Sequence, residues 1–249
     1  MKDENVPFEE HIGLLFQEHT KYHRNRIPRG RLDYLEPARP FKEYPAAGTV
    51  IALRPGPPEM PVDLWETMAR RRSRREFTGS PVTFGQVETL LWAAQGITAR
   101  VGPILLRTSP SAGALYPIET YLYARNAEHI PRGLYHLNVL KWHLEEIESG
   151  DQDGPLAAAA LDQGMVAEAA LTFLWTAVVA RSARKYGQRA YRYIYLDAAH
   201  IAAQLALAAE GLGLGCCAIA ALYDEEINHI LGVDGRNETV LYLSAVGPL

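Results

Sequence analysis

The chain has 249 residues and an ordinary apolar fraction, enough for a sizeable core in one large domain with an appendage or in two small ones. Its net charge of −4 argues against nucleic acid or an anionic membrane as partner, and no apolar run reaches transmembrane length. Residues 1–4 lack the layout of a signal peptide, and the adjacent Cys216 and Cys217 allow neither a disulfide framework nor a zinc cluster, so the expectation is a cytoplasmic, soluble protein with no metal site.

Residues 1–59 read as an N-terminal extension. Ile12, Leu15 and Phe16 predict a short amphipathic helix within residues 8–22. Prolines 28, 37, 40, 45, 55, 57 and 58 then forbid long helices and suggest an extended arm lying over a neighbour. His19 and His23 have helical i,i+4 spacing, but no third ligand accompanies them, so they read as surface histidines.

A helix is predicted to start at Asp63, with Glu66 three residues on as in a capping box. Leu64, Trp65 and Met68 are expected to anchor it to the core. Its end holds Arg70, Arg71, Arg72, Ser73, Arg74 and Arg75, with Glu76 and Phe77 following. Guanidinium forks beside a hydroxyl suit a phosphate, because each fork donates two parallel charge-assisted hydrogen bonds. A solvated charged face is the alternative.

Thr83 and Gln86 form a second capping-box pattern, and Val87, Leu90, Leu91 and Ala94 give a helical stripe stopped at Gly96. Residues 107–117 form a loop of small residues whose backbone can approach a planar ligand, or an ordinary turn-rich connection. Strands are expected at 118–124, 133–138, 140–147, 171–180 and 239–246, the first alternating and the fourth buried. Residues 150–155 read as a turn before an alanine-rich helix. A long helix at 195–210 is predicted to turn Leu196, Ala199, Ala203, Leu207 and Ala208 inward, and Asp224 to cap a last helix ended by Gly232. Glycines 211, 213 and 215 close a helix and open a strand. That order is the reverse of a dinucleotide-binding loop.

Four ordered stretches resemble the FMN-dependent nitroreductase superfamily, over roughly residues 60–249. They are Arg71-Arg72-Ser73-x-Arg75-x-Phe77, Pro110-Ser111-Ala112-Gly113-Ala114-x-Tyr116-Pro117, Lys185-Tyr186-Gly187-x-Arg189-x-Tyr191-Arg192-Tyr193, and Gly211-Leu212-Gly213 running to Ile219, Ala220 and Ala221. The second and third are similar to the SagB-like dehydrogenase branch of thiazole/oxazole peptide biosynthesis. Simpler members usually carry Asn where Ala114 stands.

The resemblance implies an α+β fold with a mainly antiparallel sheet flanked by helices, and an intertwined homodimer with FMN at its interface. It implies cofactor contacts from Arg71, Arg72, Ser73 and Arg75 to the phosphate side, from Pro110, Ser111, Ala112 and Ala114 of a loop reaching the partner subunit's flavin, and from Ile219, Ala220 and Ala221 through backbone N–H groups. Arg189, and with it Arg192, would add phosphate or substrate contacts. Lys185 and Tyr186 would be catalytic, moving a substrate proton, as a desolvated lysine can. Cys216 and Cys217 would only pack nearby. Many relatives place an Arg or Lys near the C-terminus, and none stands here. The implied activity is oxidation of azoline-type or related C–N centres. The alternatives are an NAD(P)H-driven reductase of nitroaromatics or quinones, and a non-catalytic flavoprotein subunit of a biosynthetic complex.

Overall fold

A computed structural model describes residues 12–24, 32–56 and 61–249; Phe8, Pro28, Pro57 and Pro58, and the rest of the first eleven residues, lie outside them. The fold is α+β, as expected. Its centre is a seven-stranded sheet made of β1 (Val50–Ala52), β4 (Ile118–Ala124), β5 (Gly133–Asn138), β6 (His143–Ser149), β7 (Leu171–Val178), β8 (Leu214–Ile219) and β9 (Glu238–Pro248). The spatial order is β1-β6-β5-β4-β7-β9-β8, and every neighbouring pair is antiparallel. The chain between β1 and β4 adds a separate hairpin, β2 (Ile97–Val101) and β3 (Ile104–Arg107), which the sequence reading did not anticipate.

Period two organises the core. On β4 and β7, Ile118, Leu122, Phe173 and Trp175 face one side. There they meet α3 (Phe84–Gln95), α6 (Val179–Tyr186) and α7 (Ala190–Gly211). Tyr121, Tyr123 and Leu174 face the other side, against α4 (Asp153–Ala159), α5 (Met165–Glu168) and α8 (Asp224–Leu231). Because helices cover both faces, all seven residues of β4 are buried and its polar alternation is lost.

Several expectations shift for local reasons. The second helix, α2 (Leu64–Arg70), is capped as predicted by Asp63, which accepts a 2.8 Å hydrogen bond from the Glu66 N–H. It ends before the arginine cluster. Arg71 is its C-cap and the chain beyond is extended, because Arg74 N–H donates to the Cys216 carbonyl and Ser73 forms a parallel bridge to Cys216 on the outer edge of β8. Leu64, Trp65 and Met68 do not reach the core; Trp65 is 76% exposed. β6 starts at His143 because the four preceding residues turn, with Trp142 N–H donating to the Asn138 carbonyl. β7 stops at Val178, where α6 begins, and α7 starts at Ala190, five residues early. Tyr223, not Asp224, occupies the N-cap of α8. The capping box of Thr83 and Gln86 is formed in full.

The largest correction concerns α7. Its buried face is Ile194, Asp197, Ala198, Ile201, Ala202, Leu205 and Ala209. The stripe expected inside points outward, with Leu196 55% exposed and Ala199 and Ala203 exposed beside it.

The described part of the N-terminal extension packs on its own chain. α1 (Ile12–His19) lies near the start of α7, and Lys42 donates to Tyr121 Oη and Glu238 Oε2, both at 2.6 Å. Among the described residues no helix is long and apolar enough to cross a membrane, and no group of three His, Cys, Asp or Glu side chains could hold a metal.

Candidate active site

The first half of the site is the connection from β3 to β4. Gly113, Ala114 and Tyr116 all have positive φ, at 66°, 53° and 45°. For the two residues with a Cβ this backbone costs roughly 1–2 kcal/mol each. Asp197 of α7 holds the shape: its carboxylate accepts from Ser111 Oγ at 2.6 Å and from the Ala112 N–H at 3.2 Å. Burial raises the Asp197 pKa, and these two hydrogen bonds oppose the rise. Ser111 Oγ also accepts from the Tyr116 N–H, and Arg181 donates to the Tyr116 carbonyl at 3.3 Å. Gln204 ties the loop's beginning, donating to the Thr108 carbonyl and accepting from Ser109 Oγ. The Ser111 hydroxyl is therefore occupied within the chain, and the loop offers a ligand its outer surface at Pro110, Ala112 and Ala114.

Gly113 brings the loop against α6. A Cβ at this position would sit 2.6 Å from Tyr186 Oη and 2.7 Å from Lys185 Nζ. Lys185 and Tyr186 thus converge on the loop backbone of their own chain, where only glycine leaves room. Gly187, at φ 55°, ends α6 and turns the chain into α7. Lys185 is exposed, in contrast to the partly desolvated lysine expected from the sequence. Arg189 faces the N-terminal extension, donating to the Thr20 carbonyl at 2.6 Å and to Tyr193 Oη at 3.0 Å. Arg192 faces the same way.

The second half lies at the other end of α7. A groove of about 630 Å³ is lined by residues 73–78 and Leu249. Arg71, Arg72, Arg74 and Arg75 have no carboxylate partner among the described residues, although Glu76 shares the groove. Arg72 Nη1 instead donates to the carbonyls of Ala69 and Arg71, and Arg75 Nη1 to that of Ser73. Beside them β8 ends at the buried Ile219. The next two residues, Ala220 and Ala221, are exposed and donate no N–H to a described acceptor. Burial pushes the Cys216 thiol up to about 12 and raises that of Cys217, so both are packing thiols. Guanidinium groups with no carboxylate partner among the described residues, the Ser73 hydroxyl and backbone donors without a described acceptor fit a phosphorylated, hydrogen-bonding cofactor.

The two halves do not meet within one chain. The loop is tied to Asp197, whereas the arginine segment is tied to Glu210 by Arg70 at 3.4 Å and to Gly211 by Val62. Those anchor points are separated by on the order of 20 Å of helix.

A nitroreductase family model matches residues 68–248, which covers both halves of the site. The chain belongs to the nitroreductase family. A relative from Methanocaldococcus jannaschii, named for nitroreductase activity, is 35% identical over 75% of this chain and 91% of its own length. The trifolitoxin-processing protein TfxB of Rhizobium leguminosarum bv. trifolii is 30% identical over 56% of this chain and 39% of its own. Among solved structures, a nitroreductase-family protein of Anabaena variabilis superposes with a TM-score of 0.74 at 26% identity, over 94% of this chain and 46% of that one. The Escherichia coli microcin synthetase McbBCD complex with truncated pro-MccB17 bound gives 0.61 at 19% identity, over 100% and 84%. At that identity the likeness is one of fold. The protein is thus an oxidoreductase of a flavin-dependent family.

Asp197 and Arg181 are the site residues to which the sequence pointed least; Gln204, expected to serve in packing and hydrogen bonding, does so. Asp197 did carry a signal: it is the single acid on α7 before Glu210, set in an apolar face.

Proposed function

We propose that two copies of this chain pair along α7, bind FMN at each of two composite sites, and oxidise a C–N centre of the azoline type in a modified peptide. The observation that carries the chemistry is the convergence of Lys185 Nζ and Tyr186 Oη on Gly113. The trifolitoxin-processing relative and the fold likeness to a microcin synthetase support a peptide substrate.

In this reading Arg71, Arg72, Ser73 and Arg75 hold the FMN phosphate and ribityl side. Ile219, Ala220 and Ala221 present backbone to the ring, and Pro110, Ser111, Ala112 and Ala114 of the other copy form its wall. Arg189 is assigned to the N-terminal extension because Nη1 donates to the Thr20 carbonyl there, while Nε is engaged by Tyr193 Oη on α7. Bound flavin supplies the two-electron acceptor. Lys185 Nζ takes the proton that the substrate loses, and Tyr186 Oη holds the substrate heteroatom by a hydrogen bond. An antiparallel pairing of α7 with its copy sets the loop end of one helix beside the arginine end of the other, joining the two halves and covering Lys185. The catalytic unit is residues 60–249, with residues 1–59 as its extension.

Binding and chemistry separate by mutation. Ser73→Ala with Arg75→Ala removes two ion-assisted contacts, each worth about 1.5–3 kcal/mol. FMN binding should weaken by on the order of a hundredfold or more. Lys185→Ala should keep its flavin and its bleaching by NAD(P)H, while oxidation of a thiazoline peptide falls by about a hundredfold. Stopped-flow absorbance follows both half-reactions. Loss of FMN from Lys185→Ala, or normal peptide oxidation by it, would assign Lys185 to the scaffold. The Methanocaldococcus relative favours a second reading, NAD(P)H-driven reduction of nitroaromatics or quinones, which steady turnover with a quinone would support.

A further inference from the structure

The segment from Phe16 to Tyr22 reaches the catalytic corner without joining the core. α1 has no buried residue, and no residue of the segment belongs to either apolar cluster. What docks it is polar. Arg192 donates from Nε to Thr20 Oγ1 at 2.7 Å and from Nη2 to the Gln17 carbonyl at 2.6 Å, and its guanidinium lies 5.5 Å from the Phe16 ring centre. Arg189 donates to the Thr20 carbonyl and covers the Tyr22 ring at 4.3 Å. The carbonyl of Gln17 is among those that the end of α1 leaves without a helical partner, so Arg192 acts as a cap supplied by α7, and Arg189, just before α7, ties the residue after the helix.

These contacts converge on one side chain. Arg189 Nε donates to Tyr193 Oη, so the guanidinium that covers Tyr22 also holds this phenol. The Tyr193 ring packs against Tyr186 with centroids 4.6 Å apart and planes inclined by 59°. Tyr186 Oη in turn stands over Gly113 beside Lys185 Nζ. A flexible-stemmed lysine and a half-buried phenol need such a brace, since an error of an ångström in placing a reacting group can cost about a hundredfold in rate.

We propose that residues 16–22 are a positioning element for the Lys185–Tyr186 pair: docked by Arg189 and Arg192, they hold Tyr193 against Tyr186 and so fix both groups over Gly113. The proposal rests on the reading of that pair as catalytic for its kinetic consequence, but not for its structural one. Arg192 is the residue to change, because its contacts go to the extension and not to Tyr193 or Tyr186.

The test uses the full, flavin-loaded protein with Arg192→Ala and Arg192→Lys, read by amide hydrogen exchange and by oxidation of a synthetic thiazoline peptide. In Arg192→Ala, exchange should quicken by about tenfold or more at residues 17–22 and also at residues 185–189. The peptide kcat should fall by about tenfold at unchanged KM and flavin content, with partial recovery in Arg192→Lys. Faster exchange confined to residues 17–22 would overturn the proposal, whatever the kinetics. Lys185→Ala, run in parallel, tests the catalytic reading by itself. If it oxidises the peptide normally, that reading fails while the exchange result still decides the role of the extension.

Discussion

His136 is buried between two carboxylates, with Nε2 2.9 Å from Glu119 Oε2 and Nδ1 3.2 Å from Glu145 Oε2. Both ring nitrogens face acceptors, so the ring satisfies them as an imidazolium. Burial opposes that charge, but the Glu119 and Glu145 hydrogen bonds outweigh it and raise the His136 pKa. Desolvation likewise works against the carboxylates, yet Arg181 and His136 hold Glu119 at about 2, and His136, His143 and Asn138 hold Glu145 at about 2. Lys42 adds an unfavourable charge near the ring. The sign for stability follows. A histidine with a raised folded pKa contributes fully below its unfolded value of about 6.5, and that contribution is lost as pH rises through the folded value. The two glutamates contribute above their ordinary range and lose this as pH falls towards 2. Urea unfolding should therefore show stability declining as pH rises above about 6.5, by about 1.4 kcal/mol for each tenfold tightening of the proton on folding. His136→Gln should lower stability at pH 6 and flatten that part of the profile. Equal slopes in the two proteins would place the titration elsewhere.

Among the elements, α7 carries the most weight. One of its faces packs on the sheet and the other, along Leu196, Ala199, Ala203 and Leu207, is small and apolar but open or half-open. Near its far end Leu64, Trp65 and Met68 of α2 are also exposed, and Val62, Leu64, Trp92 and Leu212 line an apolar cleft. Contiguous apolar surface of this kind marks an interface. Leu196→Glu with Ala203→Glu touches no core contact, so each chain should still fold, changing stability by about 0.5 kcal/mol or less per site. Sedimentation should nevertheless show a monomer, and its flavin content should fall below about a tenth of wild type. A monomer that keeps its flavin would disprove the composite site. The same helix shows why part of the fold was illegible. Hydrophobic periodicity finds apolar faces and does not say which is covered by the chain's own sheet, and α7 carries two such faces. β4 and β5 were legible to the residue because β-rich runs are bounded there by turn residues on both sides. The β2–β3 hairpin was less so: Ile97, Ala99 and Val101 alternate before the Gly102-Pro103 turn, but the unbroken apolar run Ile104-Leu105-Leu106 hides the second strand. In the site, the arginine cluster, the small-residue loop and the Lys185–Tyr186 pair were visible as local patterns. Their partners Asp197, Arg181 and Thr20 were not, because those contacts cross from 65 to more than 160 residues of sequence.

For the molecule as a whole, the proposed arrangement, two chains forming two FMN sites between them, would account for the separated halves, the open stripe on α7 and the arginines that have no carboxylate partner among the described residues. Release of the cofactor tests this most directly. The protein purified from its expression host is denatured, and the supernatant is identified by chromatography against FMN and FAD and quantified by absorbance. The account predicts a yellow protein that releases FMN at about one per chain. A colourless protein that also fails to take up added FMN, or one that releases FAD, would contradict it.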